Sequence, residues 1–281
     1  EFIEACKNGD LARVKDLLTK GVDPSVDDNS AIAFTNNIEI VRLLLEYPRV
    51  DPSADDNYAI RWASRYGRTE IVRLLLTDPR VDASARNNHA IGLASENGHI
   101  ETVRLLLQDK RVDASAYDNY AIRWASYNGH TEIVRLLLAD PRVDASADNN
   151  YAIRWASRNG HTEIVKLLLQ DKRVDSSTFD NYAIRWASRN GHTKIVKMLL
   201  ADPRVDASAH HNDAIRWASR IGHTKIVKML LADPRVDPSV DDNSAIGLAS
   251  EKGHSEIVKL LLKDPRVDPI SDDNYAIRWA S

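Results

Sequence analysis

Histidine is the residue type here that most directly suggests chemistry, because imidazole exchanges protons and binds metals near neutral pH. Six of the nine histidines follow a glycine and recur every 31 residues: His99, His130, His161, His192, His223 and His254. A metal ion needs its ligands around one point, whereas equivalent residues of successive repeats are spread along an array. We therefore expect these six histidines to be structural turn residues.

The other reactive residues form no recognisable catalytic constellation. His89, His210 and His211 lie outside the 31-residue register, and the adjacency of the last two is a weak metal-binding signal. Cys6 is the single cysteine, which excludes an internal disulfide and favours a reducing, cytoplasmic compartment. Because phosphate-binding glycine loops and the H-E-x-x-H and G-x-S-x-G motifs are also missing, we expect no enzyme, no cofactor and no metal.

Arginine and tryptophan share one stretch of most repeats, here called the Arg/Trp stripe. The tryptophans are Trp62, Trp124, Trp155, Trp186, Trp217 and Trp279. The arginines form pairs four residues apart, namely Arg61 and Arg65, Arg154 and Arg158, Arg185 and Arg189, and Arg216 and Arg220. In the repeat of Arg123 the second position is occupied by Tyr127. The stripe is either internal packing, with each first arginine paired to turn aspartates, or a site for an acidic or phosphorylated peptide.

A 31-residue repeat must position these side chains. Its marker is an asparagine, found at Asn57, Asn88, Asn119, Asn150, Asn181, Asn212, Asn243 and Asn274, with Asn29 closer by three residues. Apolar residues at i, i+3 and i+4 predict two helices per repeat, one from Tyr151 to about Arg158 and one from Thr162 to near Asp171. We expect Asn150 to cap the first helix.

The repeat resembles a known family. Its motif Y-A-I-R-W-A-S-R-N-G-H-T-E-I-V-K-L-L-L resembles the ankyrin repeat motif T-P-L-H-L-A-A-x-x-G-H-x-E-V-V-x-L-L-L over essentially the whole chain. The resemblance implies an all-α repeat, an ankyrin-type solenoid of helix-turn-helix units with β-turn fingers. The fingers should be short, because the unit is 31 residues long where about 33 is usual.

The array is predicted to be one domain over residues 1–281. It divides into a cap unit (1–26), a shortened unit (27–54), seven full units (55–271) and an incomplete unit (272–281). Arg13 and Asp16 stand where later repeats have apolar residues, which predicts an outward-facing cap. Ile277 and Trp279 would lack a covering repeat, so we expect the natural chain to continue beyond Ser281.

The resemblance implies a non-enzymatic protein–protein interaction scaffold, with the partner on the concave face of the first helices and on the finger tips. Finger positions vary most between repeats, and Tyr117 and Phe179 there suit binding anchors. The candidate partner-binding residues are Arg86, Tyr117, Phe179, His210, His211, Arg123, Arg154, Arg158, Arg185, Arg189, Arg216 and Arg220. We expect a monomer that binds a protein.

Charge leaves one alternative function open. Lys and Arg number 38 against 41 Asp and Glu, a formal net charge of −3, so the chain as a whole is not a basic nucleic-acid binder. Residues 179–240, however, carry ten Lys and Arg against six Asp, which makes polyanion or nucleic-acid binding the alternative. Apolar runs are only a few residues long, as at Leu74–Leu76, so we expect no membrane partner.

Overall fold

The computed structural model describes residues 1–268 and Ile270, which contain eighteen α-helices and no β-strand. Packing divides the chain into two compact bodies, Glu1–Asp144 and Ala145–Ser281, called here the N-terminal body and the C-terminal body. The predicted incomplete repeat at 272–281 lies outside the described residues.

Each repeat contributes two helices. In the N-terminal body they are α1 (Phe2–Lys7), α2 (Leu11–Thr19), α3 (Val26–Phe34), α4 (Ile38–Leu45), α5 (Ala54–Arg65), α6 (Thr69–Leu75), α7 (Ala85–Glu96), α8 (Ile100–Leu106), α9 (Ala116–Asn128) and α10 (Thr131–Leu138). In the C-terminal body they are α11 (Ala147–Asn159), α12 (Thr162–Leu168), α13 (Thr178–Arg189), α14 (Thr193–Leu200), α15 (Ala209–Ile221), α16 (Thr224–Leu231), α17 (Val240–Glu251) and α18 (Ser255–Leu261). Odd-numbered helices are called first helices and even-numbered ones second helices.

The core of each body is built from the same few positions of successive repeats. Ile184 and Ala187 of α13, Ile195 and Leu199 of α14 and the following Val205 are all fully buried. Neighbouring first helices pack on one another, as α13 does on α15, and second helices do the same. Burying one Ile or Leu side chain contributes about 1.5–3 kcal/mol. Because neighbouring repeats supply the contacts that bury these side chains, stability comes from stacking and not from any single helix pair.

A left-handed turn opens most first helices and forms the finger of the repeat. In α9 the residues Tyr117, Asp118 and Asn119 have φ angles of 54°, 52° and 57°. Equivalent triplets occur in every first helix from α3 to α17. Left-handed backbone costs a non-glycine residue about 1–2 kcal/mol, so these turns persist only because surrounding contacts hold them.

The marker asparagine supplies the main such contact, and its role differs from the predicted cap. In the C-terminal body, Asp206 N–H donates to Asn181 Oδ1 over 2.7 Å, and Asp237 N–H donates to Asn212 Oδ1 over 2.9 Å. Asn181 is 8 % exposed. The prediction that Asn150 caps the first helix is therefore corrected: at φ 61° its side chain turns to the next repeat, where its Oδ1 accepts a hydrogen bond from Asp175 N–H over 2.7 Å.

The recurring Gly-His pair also joins neighbouring repeats. His130 Nε2–H donates to the carbonyl of Glu96 over 3.0 Å, and the imidazole lies against Gly98. A Cβ on Gly98 would stand 2.6 Å from the ring, and the φ angle there is +81°. Both the glycine and the histidine are thus required by packing.

The N-terminal repeat has the polar outer side expected of a cap. Arg13 Nη1 lies 2.7 Å from Asp16 Oδ2, both side chains are exposed, and Arg13 also pairs with Glu1. In the next repeat, where the sequence lacks three residues, α3 is three to four residues shorter than the later first helices.

Replacing Asp118 by Gly should stabilise the N-terminal body. The side chain is exposed and its backbone is left-handed, so glycine removes strain without removing a core contact. Relief of about 1–2 kcal/mol of left-handed strain exceeds the roughly 0.5–1 kcal/mol of entropy that glycine costs, so we expect the free energy of unfolding to rise by up to about 1 kcal/mol in urea titrations. Asp118→Val is the matched control and should lower it, whereas an equal effect of both substitutions would contradict the strain argument.

Candidate partner-binding surface

The first arginine of the Arg/Trp stripe is built into the turn of its own repeat. Arg154 is 8 % exposed, and its Nε–H and Nη2–H donate to the carbonyls of Asn149 and Asp148 over 2.9 and 3.1 Å. Arg61 is 5 % exposed and donates to the carbonyls of Asp56 and Asp55 in the same way. These guanidiniums hold the left-handed turn, mainly through backbone carbonyls and not through the turn carboxylates.

In the later repeats the first arginine also pairs with a carboxylate of the next repeat, while Arg185 still donates to the Asp180 carbonyl of its own turn over 3.2 Å. Asp213 stands where most repeats have Tyr, and its Oδ2 lies 3.0 Å from Arg185 Nη2 and 3.1 Å from His210 Nδ1. Arg216 Nη1 lies 2.9 Å from an Asp241 carboxylate oxygen. Asp213 is largely buried, so Arg185 and Arg216 are neutralised locally and present little free positive charge.

His211, also a predicted site residue, lies at the exposed edge of this network. Its Nδ1 is 3.8 Å from an Asp241 carboxylate oxygen. Among the described residues, no group of three or more His, Cys, Asp or Glu side chains is arranged to hold a metal ion.

In the C-terminal body the second arginine of each pair stacks on tryptophan, and two of these arginines lie between two tryptophans. The Arg158 guanidinium lies 4.6 Å from the Trp155 ring centroid and 4.1 Å from that of Trp186. Arg189 bridges Trp186 and Trp217 at 4.6 and 4.1 Å, and Arg220 lies 5.2 Å from Trp217. The stripe in the C-terminal body is thus an alternating cation–π stack that joins first helices.

The finger tips remain as exposed residues of large contact area. Tyr117 is 65 % exposed and Phe179 is 55 % exposed, and Arg86 is exposed at the equivalent tip at the start of α7. Arg123 is half-buried and donates from Nη2 to the carbonyl of Tyr117 over 3.3 Å. Of the predicted site residues, the tips therefore offer surface, while Arg154 does not.

A second set of arginines had no predicted role, although its R-V-D motif recurs in the sequence. Arg204 Nε–H and Nη2–H donate to the two carboxylate oxygens of Asp202 over 3.0 and 2.7 Å, and Nη1–H donates to the carbonyl of Val174 in the preceding repeat over 2.8 Å. The hydrogen bond from Arg204, with help from the Ser176 hydroxyl, lowers the pKa of Asp202 to about 2. Equivalent arginines lower the pKa values of Asp78, Asp109, Asp140, Asp171, Asp233 and Asp264.

Single reactive groups elsewhere lie in structural positions. Cys6 is fully buried in α1, and burial raises the pKa of its thiol to about 11.

Within the described residues, no helix combines the length and apolarity needed to cross a bilayer.

Comparison with known proteins decides the family. A family model described as ankyrin repeats (3 copies) matches residues 2–87, 77–150, 124–209 and 184–273. The chain belongs to the ankyrin repeat family. The predicted family and helical repeat fold are thereby confirmed. No curated protein matches the chain. Ankyrin repeats are generally protein–protein interaction modules, and ankyrin repeat proteins are generally non-enzymatic binding scaffolds.

Acid should weaken this ankyrin array through its arginine–aspartate pairs. The pKa of Asp202 in the folded chain lies below its ordinary value of 3.8. The stabilisation from its pair with Arg204 is therefore complete at pH values above 3.8 and is lost as the pH falls toward 2. Asp202→Asn should therefore lower the free energy of unfolding by about 2 kcal/mol at pH 6.

The deficit of Asp202→Asn should shrink as the pH approaches 2, which urea titrations across this range measure. Asp180→Asn makes the same charge change on an exposed turn and serves as the control. A deficit that does not depend on pH would contradict the assignment.

Proposed function

We propose that this chain is a non-enzymatic scaffold that binds a protein partner through exposed finger tips and the adjoining ends of the first helices. The observation that carries the proposal is a bulky aromatic residue held exposed in left-handed backbone, at φ 54° for both Tyr117 and Phe179. A bulky side chain with positive φ is a genuine outlier. Strain of this kind marks functional positions, because folding alone favours Gly, Asn or Asp there.

Each body has its own tip to offer. Tyr117 belongs to the N-terminal body, where its ring stands 5.8 Å from that of Tyr120. Phe179 belongs to the C-terminal body, where its ring lies 4.2 Å from the Arg154 guanidinium. Both rings are therefore oriented by a neighbour yet mostly open to solvent, which suits a binding anchor that loses little conformational freedom on binding.

Charge pairing guides the chemistry of the partner. Arg185 and Arg216 are ion-paired with Asp213 and Asp241, and Arg158 and Arg189 are stacked on tryptophans. Arg185, Arg189 and Arg216 of the segment 179–240 are therefore already engaged, nothing observed favours the polyanion alternative, and we do not propose it. An acidic or phosphorylated partner, a monomeric state and a cytoplasmic location stay predictions.

Replacing either tip by asparagine should separate binding from folding. Asn tolerates left-handed backbone, so Tyr117→Asn and Phe179→Asn should leave the midpoint of thermal unfolding unchanged or raised. With a partner first captured from the native cell by a photo-reactive phenylalanine at 117 or 179, we expect at least one substitution to weaken its affinity by about tenfold or more.

The control for this experiment is Ile221, an apolar residue of similar exposure at the C-terminal end of α15. A photo-reactive residue at 221 should give no specific adduct, and Ile221→Asn should leave affinity unchanged. Full affinity in both tip variants, measured with the purified partner, would contradict the proposed surface.

A further inference from the structure

The Arg154 site is a complete cage for a guanidinium group. Two carbonyls, of Asp148 and Asn149, accept hydrogen bonds from Arg154. Three aromatic rings surround the same guanidinium, with centroids at 4.2 Å for Phe179, 5.8 Å for Tyr151 and 5.7 Å for Tyr182. The repeat therefore encodes a site that satisfies both the hydrogen-bonding and the π-facing character of arginine.

The same site in the N-terminal body lacks its arginine. Two repeats earlier, Gly92 stands at the position of Arg154. The residues equivalent to the cage keep their roles: Arg86 and Asn87 have the two carbonyls, and the three rings are those of His89, Tyr117 and Tyr120. These five residues and Gly92 line a cavity of about 410 Å³. The cavity is therefore the consequence of one missing side chain in an otherwise complete cage.

Tyr120 forms the wall of the cavity on the helix side. The Tyr120 ring lies against Gly92, where its Cδ1 would be 2.9 Å from an added Cβ. Its hydroxyl donates to Glu96 Oε2 over 2.7 Å, which fixes the ring as one wall. The Tyr117 ring stands 5.8 Å from it and is largely exposed, so the cavity opens toward solvent at the finger tip.

The cavity is bordered by both cationic and acidic side chains, so its carbonyls and aromatic rings, and not net charge, are what would hold a guanidinium. The cationic Arg86 side chain points toward the preceding turn, with Nε 3.8 Å from an Asp56 carboxylate oxygen. Burial, followed by the nearby Arg61 and Arg86, lowers the pKa of His89, so this imidazole is neutral at neutral pH. Asp113 also lines the cavity, and its Oδ1 accepts hydrogen bonds from the backbone N–H and the hydroxyl of Ser115.

We propose that this cavity receives the guanidinium group of an arginine side chain from the protein partner, in place of the arginine that Gly92 lacks. The inference rests on the proposed function for the partner, and it adds the chemistry of one contact. Arg61, in the preceding repeat of the same body, shows the hydrogen-bonding mode, since it donates to the two carbonyls of its own turn over 3.0 and 2.8 Å.

Saturation-transfer NMR with N-acetyl-L-arginine amide tests the site without knowledge of the partner. We expect saturable millimolar binding to the whole chain, and about tenfold weaker binding of the neutral citrulline analogue. Gly92→Arg supplies the missing guanidinium from within and should abolish binding. Tyr117→Asn removes one ring without the need for Tyr120 to move, and it should weaken binding severalfold.

The control for added charge is Gln108→Arg, on an exposed position outside the cavity, which should bind arginine like the unaltered protein. Equal binding to Gly92→Arg and the unaltered protein would overturn the inference, as would saturable binding of phenyl phosphate in place of arginine. Arginine binding without partner adducts at Tyr117 or Phe179 would instead count against the proposed function alone.

Discussion

The hydrogen bond between a marker asparagine and the next repeat's backbone is the constraint on which the rest of each body depends. It requires the asparagine to adopt left-handed backbone. The two turn residues before it adopt the same conformation, which carries conformational strain for L-residues. The Asp that donates through its N–H also accepts from a serine two residues later, as Asp206 does from Ser208. Just before it, Arg204 reaches back to the carbonyl of Val174. One side-chain carbonyl thus sets the register for a set of bonds between neighbouring repeats.

This arrangement draws most chemically conspicuous residues into the scaffold. Arg154 holds a turn, His130 covers a glycine, and Arg158 separates two tryptophans. These side chains therefore offer a partner less than the sequence suggests, because their charges and hydrogen bonds are already used inside each body. Among the candidate residues that the structure describes, finger tips such as Tyr117 stay exposed, and Gly92 leaves a cage empty.

The sequence was sufficient to predict the helices and the family. Gly160 marks the end of one helix and Thr162 the start of the next through local signals that do not depend on neighbouring repeats. It failed for Asn150, because the expected cap and the observed bond to Asp175 use the same side-chain oxygen, and only the packed neighbour decides between them. The stripe stayed ambiguous for the same reason: spacing places Arg154 on a helix face but does not reveal that two carbonyls of a left-handed turn face it. The cavity at Gly92 was not predicted, because part of its wall, including Tyr117 and Tyr120, comes from the next repeat.

The most direct measurement of the central claim is the unfolding free energy of Asn181→Gly in urea. Glycine adopts positive φ more easily than asparagine, so loss of conformational strain alone would leave stability unchanged or raise it. The account instead predicts a fall of about 1–3 kcal/mol, because the Asp206 amide loses its acceptor at a buried site. Unchanged or higher stability would contradict it.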